Sequence, residues 1–346
     1  MASSNKRMKL VPEDDYMHPV EAASNFNESM YFNVFDPERE IGGFFRLGNR
    51  PNEGYAEMTC CIYLPDGRVG FMFKRPEIEN NDAFDAGGMR FEVVEPHRRL
   101  KVTYTGKLAL LTDPTQMANP REAFKNNPRI PAEVTVDYTG VSPVTGGEPV
   151  NDDGSPIELD ADKSFARGHT EQHVEATGTI KIGDETFEIA GFGLRDHSWG
   201  PRYWQAIHWY RWCPMNFGRD HAMMLSLICG EGNEPRAGGV VLENGEYRKI
   251  KDVSFDTDWD ADYYQKSFVA HVEMEDGETF DVEGEVMSLI PLRNRRQSPD
   301  GEMMMTRITE GMTRYRARGK VGYGLSEFLD QVNEDGLPVS VAEGLA

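Results

Sequence analysis

The sequence predicts an all-β protein of antiparallel strands arranged in two domains. Three observations carry that prediction. Turn dipeptides flanked by β-rich runs recur along the chain, no strand–helix–strand rhythm accompanies them, and 346 residues exceed what one hydrophobic core comfortably holds. Short strands joined by hairpins pack as sandwiches or closed barrels. A barrel of about eight strands or more can enclose a small-molecule cavity.

Residues 1–20 read as a flexible N-terminus. They carry three early cations but lack the apolar run of about 7 to 15 residues that a secretory signal needs, so export is not expected. From about residue 40 the hairpins follow one another. In MTCCIYLPDGRVGFMFK the pair Asp66-Gly67 separates two β-rich runs, the strongest short-range hairpin signal. Similar hairpins are read at FEVVEPHRRLKVTY, at TIKIGDETFEI, at VVLENGEYRKI around Asn244-Gly245, and at VEMEDGETFDVEG around Asp276-Gly277. Two short helices are expected, one over PREAFKNN near residue 123 and one over LSEFLDQV near residue 328. Residues 107–133 and 140–166 are irregular, and the acidic, turn-rich second segment reads as a mobile surface loop. Hairpins on both sides of residues 185–200 place the division there, giving an N-terminal domain over 21–195 and a C-terminal domain over 196–346.

The chemistry-bearing stretch is GFGLRDHSWGPRYW at 191–204. As a strand it puts Phe192, Leu194 and Asp196 on one face and Arg195, His197 and Trp199 on the other. Gly191 and Gly193 mark a bulge or a close approach, of a ligand for instance. Four of the five tryptophans, Trp199, Trp204, Trp209 and Trp212, crowd together with Tyr203, His208 and Tyr210. Such rings either pack a core or line an apolar pocket whose π faces tolerate developing positive charge. Asp196 beside Phe192 and Leu194 suggests a carboxyl kept protonated by burial. The competing reading pairs it with Arg195 or Arg202 as a structural salt bridge. His197 serves either as a proton donor or acceptor near neutrality or as a core histidine.

Together with EQHVEATGTIKIGDETFEIA before it and GKVGYGLSEFL near the end, this stretch resembles the carotenoid 1,2-hydratase and AttH-like superfamily, most specifically over residues 170–212. The resemblance implies two lipocalin-like (calycin-type) β-barrels packed together. It further implies hydration, isomerisation or cyclisation of hydrophobic polyenes, terpenoids or polyketides without metal or organic cofactor. An acid working with His and Trp is implied to protonate an alkene; His197 and Trp199 match that motif. Asp196, Asp220 and Glu327 are the alternatives for the acid, and a Tyr-Asp pair downstream is lacking. Asp196, His197 and Trp199 are therefore the catalytic candidates. Tyr203, Trp204, His208, Tyr210 and Trp212 are candidates for substrate contact. Arg195, Arg202 and Glu327 are candidates for structural or orienting roles, Glu327 by capping the helix expected there; the same structural reading covers Arg46 and Arg307.

Other chemistries find less support. His169 and His173 in GHTEQHVE are four apart, but the surrounding pattern is strand-like and no metal is predicted. GFGLRD and GYGLSE fail the dinucleotide fingerprint, and Ser198 beside His197 faces the opposite way along a strand. Met303, Met304 and Met305, with Met223 and Met224, fill core or line an adaptable cavity. A formal charge of −21 disfavours nucleic acid, and no apolar run approaches the roughly 18 residues that span a bilayer. Four cysteines without a CxxC pair suit a reducing, cytoplasmic setting. The expected partner is a hydrophobic small molecule, with a homodimer left open. The two functional alternatives are an acid–base enzyme on an apolar alkene and a lipocalin-like carrier that leaves its ligand unchanged.

Overall fold

The structure, a computed structural model, describes residues 7–161, 163–297 and 301–344. The first half is a meander of eight long strands: β1 (Phe26–Asp36), β2 (Ile41–Arg50), β3 (Tyr55–Tyr63), β4 (Val69–Lys74), β5 (Arg99–Leu111), β6 (Arg129–Gly140), β7 (Gly168–Ile182) and β8 (Glu185–Pro201). Each strand pairs antiparallel with the next, and β8 pairs back onto β1, so the hydrogen bonds run in a closed ring. Short strands at Asp85–Ala86 and Met89–Glu95 branch from β5, and strands at Arg7–Lys9 and Thr145–Val150 branch from β7. The second half is a closed barrel of eight strands: β9 (Trp209–Asn216), β10 (His221–Cys229), β11 (Arg236–Glu243), β12 (Glu246–Trp259), β13 (Gln265–Met274), β14 (Thr279–Gln297), β15 (Met303–Ala317) and β16 (Lys320–Gln331). All five expected hairpins are present. Their turns carry positive φ at Gly67, His97, Gly183, Asn244, Gly245 and Gly277, conformations that suit Gly and Asn.

Both barrels are filled. Met30, Phe32, Val34, Phe45, Val136 and Val174 converge inside the first, and Met215, Leu225, Val253, Phe268, Tyr315 and Phe328 inside the second. The alternate residues of β1 to β5, including Tyr31, Phe35, Phe44, Tyr63 and Phe71, face outward and pack with Ile290, Met312 and Leu325 of the second barrel. Strand β1 is therefore buried on both faces along its whole length. That explains why it shows no apolar–polar alternation and why the sequence pattern begins only near residue 40. The cavity expected inside a barrel lies instead between the two barrels, against their outer faces.

Several expectations change. LSEFLDQV is not a helix but part of β16. Leu325, Phe328 and Leu329 have helical spacing, yet the segment is hydrogen-bonded on both edges, to β15 and β9, and closing the barrel outweighs local preference. Among the described residues the α-helices are α1 (Pro120–Asn126), where one was expected, and the single turn α2 (Val339–Ala342). The division expected at 195/196 falls inside β8, which stays in the first barrel to Pro201. Of the N-terminus read as flexible, residues 1–6 lie outside the described residues. Residues 7–20 include a strand and a 3-10 turn whose Asp15 is buried. The two irregular segments supply cavity wall, through Met117, Pro120 and Phe124 from one and Phe165 and Ala166 from the other. Gly193 is required by a strand rather than a ligand: a Cβ there would lie 1.9 Å from the Asn33 carbonyl oxygen. All four cysteines are buried and unpaired. Among the described residues no helix is long and apolar enough to cross a membrane.

Candidate active site

The cavity between the barrels has a volume of about 980 Å³, in the range of small-molecule sites. Two transverse rows of cross-strand neighbours build its polar part. On the first barrel Glu171, Asp196, Tyr31, Arg46 and Thr59 stand side by side across β7, β8, β1, β2 and β3. On the second, Ser226, Trp212, Glu327 and Glu310 do so across β10, β9, β16 and β15. All nine line the cavity. The rows touch where Trp212 Nε1 donates to Glu171 Oε1 at 2.7 Å. Phe44, Phe71, Phe124, Ile207 and Leu292 supply apolar wall.

Glu310 and Glu327 are the most unusual groups. They are direct cross-strand partners, which sets their Cβ atoms roughly 5 Å apart on one face of the sheet. Burial pushes Glu327 up to about 8, with the Asp196 charge adding to it and Arg46 and Arg202 opposing. Burial likewise pushes Glu310 up to about 8 against the pull of Arg46. Two carboxyls in one site are thus neutral at pH 7. Tyr210 Oη donates to Glu327 Oε1. A neutral carboxyl whose Oε1 accepts from Tyr210 carries its proton on Oε2, available for transfer.

Asp196 behaves in the opposite way. Burial alone would raise it, but the neighbouring His169 cation and the hydrogen bond from His169 Nε2 hold it below the usual carboxylate range. Burial alone would lower His169, but the Asp196 carboxylate, with Glu171 behind it, lifts its imidazole up to about 9. The two form an ion pair at neutral pH, so Asp196 is not the protonated acid that its apolar neighbours in sequence suggested. Burial also raises Glu171, reinforced by Asp196.

The sequence candidates divide by strand face. Asp196, Arg202, Trp204, Tyr210, Trp212 and Glu327 line the cavity. His197 and Trp199, expected to be catalytic, point the other way, into the mouth of the first barrel. His197 Nε2 donates to Glu28 Oε1 at 2.7 Å, and Trp199 stacks on His18 with ring centroids 3.9 Å apart. Arg195 is buried on that side too, bonded to Asp15 at 2.6 Å and to Gln172 at 2.9 Å. Neighbours in a strand cannot share one reaction centre. Tyr203 and His208 lie outside the cavity, Tyr203 under the Arg296 guanidinium and His208 bonded to Glu343. Asp220 is exposed in the β9–β10 turn.

Glu327 caps no helix. Arg307 donates to the carbonyls of Asp262 and Tyr263. Met303 is exposed, Met223 fills the second barrel and Met224 reaches the cavity. Tyr31, Glu57, Glu171 and Glu310 went unrecognised in the sequence. The one available signal was a carboxylate standing where strand alternation calls for an apolar residue.

Among the described residues two clusters have the donor set of a metal site: His169, Glu171 and Asp196, and His18, Glu28 and His197, each with ligand atoms within 4.8 Å of one another. Hydrogen bonds among their own members account for the closeness in both. His173 does not join either. It is buried, bonded to Tyr247 Oη and the Met223 carbonyl, and burial lowers it to about 4.

The sequence family described as "Domain of unknown function (DUF7064)" matches residues 11–332. The chain belongs to that family. No curated protein has a matching sequence. Among solved structures, this DUF7064 protein is similar to an AttH-like protein of Nitrosomonas europaea, with TM-score 0.54 at 14% identity over 95% of this chain and 98% of that one. It is also similar to CghA solved with Sch210972, with TM-score 0.52 at 9% identity over 91% and 94% of the two chains. Kievitone hydratase from Nectria haematococca gives 0.51 at 8% identity over 94% and 96%. The two-barrel fold is shared with these three structures.

Proposed function

We propose that this protein is an acid–base enzyme acting on an apolar, unsaturated small molecule held between the two barrels. Glu327 delivers the proton, Glu310 stands beside it uncharged through its own burial, and Tyr210 fixes which oxygen carries the proton. Trp212 and Phe44 shelter the cationic centre that protonation of an alkene creates. Asp196, ionised and tied to His169, takes a proton from water or from the adjacent carbon. Loss of a neighbouring proton gives isomerisation, capture by water gives hydration, and capture by an internal double bond gives cyclisation. The observation that carries this reading is the Glu310–Glu327 pair: two neutral carboxyls facing an apolar hollow opposite one ionised carboxylate. Paired carboxyls whose environments drive their titrations apart are the arrangement that acid–base chemistry needs near pH 7. The chemistry suggested by the name kievitone hydratase agrees with it.

The test uses deuterium. The protein is incubated in D2O with the apolar small-molecule extract of the cells that make it, and products are followed by mass spectrometry. The enzyme reading expects a species that gains deuterium with wild type and not with Glu327→Gln. A carrier expects ligand retained by both proteins with no mass shift in either.

A further inference from the structure

We infer that the substrate is not a plain hydrocarbon but an apolar molecule bearing an oxygen anion, of carboxylate or enolate type, which Arg46 and Arg202 receive beside Trp204. The inference rests on the site proposed above and concerns what that site holds.

The argument starts from charge. The chain as a whole carries −21, yet the unpaired charges of the cavity are cationic. Arg202 is buried, donates to Ser198 Oγ at 2.6 Å, and has no carboxylate within ion-pair distance among the described residues. Burial and the charge of Arg46 lower its guanidinium to about 9 against the pull of Asp196 and Glu57, so it is still cationic at neutral pH, with no carboxylate in direct contact among the described residues. Arg46 reaches Glu57 with Nη1 at 3.3 Å, while its Nη2 is buried without a partner. Glu57 is itself shared with Arg75 at 3.0 Å. Both guanidinium carbons approach the same indole, Arg46 at 5.8 Å and Arg202 at 5.4 Å from the Trp204 ring centroid, and the Trp204 Nε1 donor is also buried without a partner.

Two cations and an N–H therefore converge on one end of the cavity with more donors than acceptors to satisfy them. The carboxyls that might have neutralised them, Glu310 and Glu327, are protonated near neutrality, and Asp196 is taken by His169. Farther along the wall the exposed Arg236 and Arg295 and the half-buried Arg293 also line the cavity. Leaving buried guanidiniums unpaired is costly, and a ligand oxygen anion offsets that cost while a hydrocarbon does not. The same anchor orients the apolar body, so that one double bond meets Glu327 and not another.

The experiment compares cis-parinaric acid, a fluorescent polyene carboxylate, with its methyl ester and the corresponding alcohol. It reads binding at pH 7, where the ligand carboxylate is ionised and Glu310 and Glu327 are not, by fluorescence, with no turnover required. The acid is expected to bind about tenfold or more tightly than either neutral analogue, as a charge-assisted contact gives. Arg202→Met and Arg46→Met are each expected to shrink that preference to about twofold or less while ester binding persists. Persistent ester binding also shows that the variants are folded. Equal affinity for acid and ester in the wild type overturns the inference without needing any variant, as does a preference that survives both substitutions. Glu327→Gln is expected to keep the acid preference, so failure of the deuterium experiment and failure of this one are separate results.

Discussion

Replacing Glu327 by Gln should make the protein more stable and inactive at once. The folded carboxyl titrates at about 8 against an ordinary value of 4.5. Between those values the unfolded chain is ionised and the folded chain is not. The unfolded state binds fewer protons there, so the stability contributed by this group falls as pH rises from 4.5, and it levels off above 8. At about 1.4 kcal/mol per pH unit, the wild-type residue costs about 3 kcal/mol at pH 7 and almost nothing at pH 4. Gln has the shape of the neutral acid and keeps an oxygen for Tyr210 Oη, but it has no proton to lose. The melting temperature of Glu327→Gln should therefore exceed that of wild type by about 4 °C at pH 7, with the gap near zero at pH 4 and widest above pH 8. Deuterium incorporation should fall by about 10²- to 10⁴-fold, the usual worth of a general acid. A melting-temperature gap that does not change between pH 4 and pH 8 would refute the buried, neutral carboxyl, and with it the proton donor.

Three further outcomes are expected. Asp196→Asn should drop the His169 imidazole from about 9 toward its ordinary 6.5, read by ¹⁵N-imidazole NMR. In the wild type the His169 share of the pair's stability is complete below 6.5 and lost as pH rises through 9, while the Asp196 share is lost on acidification. An unchanged His169 titration in the variant would contradict the ion pair. Asp15→Asn strands the Arg195 guanidinium in the first barrel and should cost about 3 to 5 kcal/mol in denaturant unfolding, with deuterium incorporation per folded molecule unchanged because neither group reaches the cavity. His197→Gln should lower the melting temperature and leave turnover intact. The Glu28 carboxylate that His197 and His18 hold down to about 2 against burial should titrate higher in that variant. Lost turnover with intact melting would return His197 to the catalytic group.

Legibility in the sequence followed the range of the interactions. Asp66-Gly67 and Asn244-Gly245 announce their hairpins because a two-residue turn with positive φ is a local property. LSEFLDQV misleads because its spacing satisfies a helix and a strand alike, and only two long-range ladders decide between them. Asp196, singled out as the candidate acid, lines the cavity, but its apolar sequence neighbours do not set its titration. His169, on the adjacent strand, does. Glu327 was recognised through the GYGLSEF motif around it, and its cross-strand partner Glu310, with no such motif, was not.

By itself, then, the sequence determined the antiparallel all-β class, the hairpin positions, and the separation of Asp196 from His197 and Trp199 onto opposite faces of one strand. Tertiary structure alone decided which face of β8 meets the cavity, that the cavity lies between filled barrels, and that Glu171, Asp196, Tyr31 and Arg46 stand in one row. Alternation and turn chemistry act within a few residues and are written into the chain. The register of a closed barrel, and the burial that one barrel imposes on the other, are fixed only when strands distant in sequence pair and lose water together.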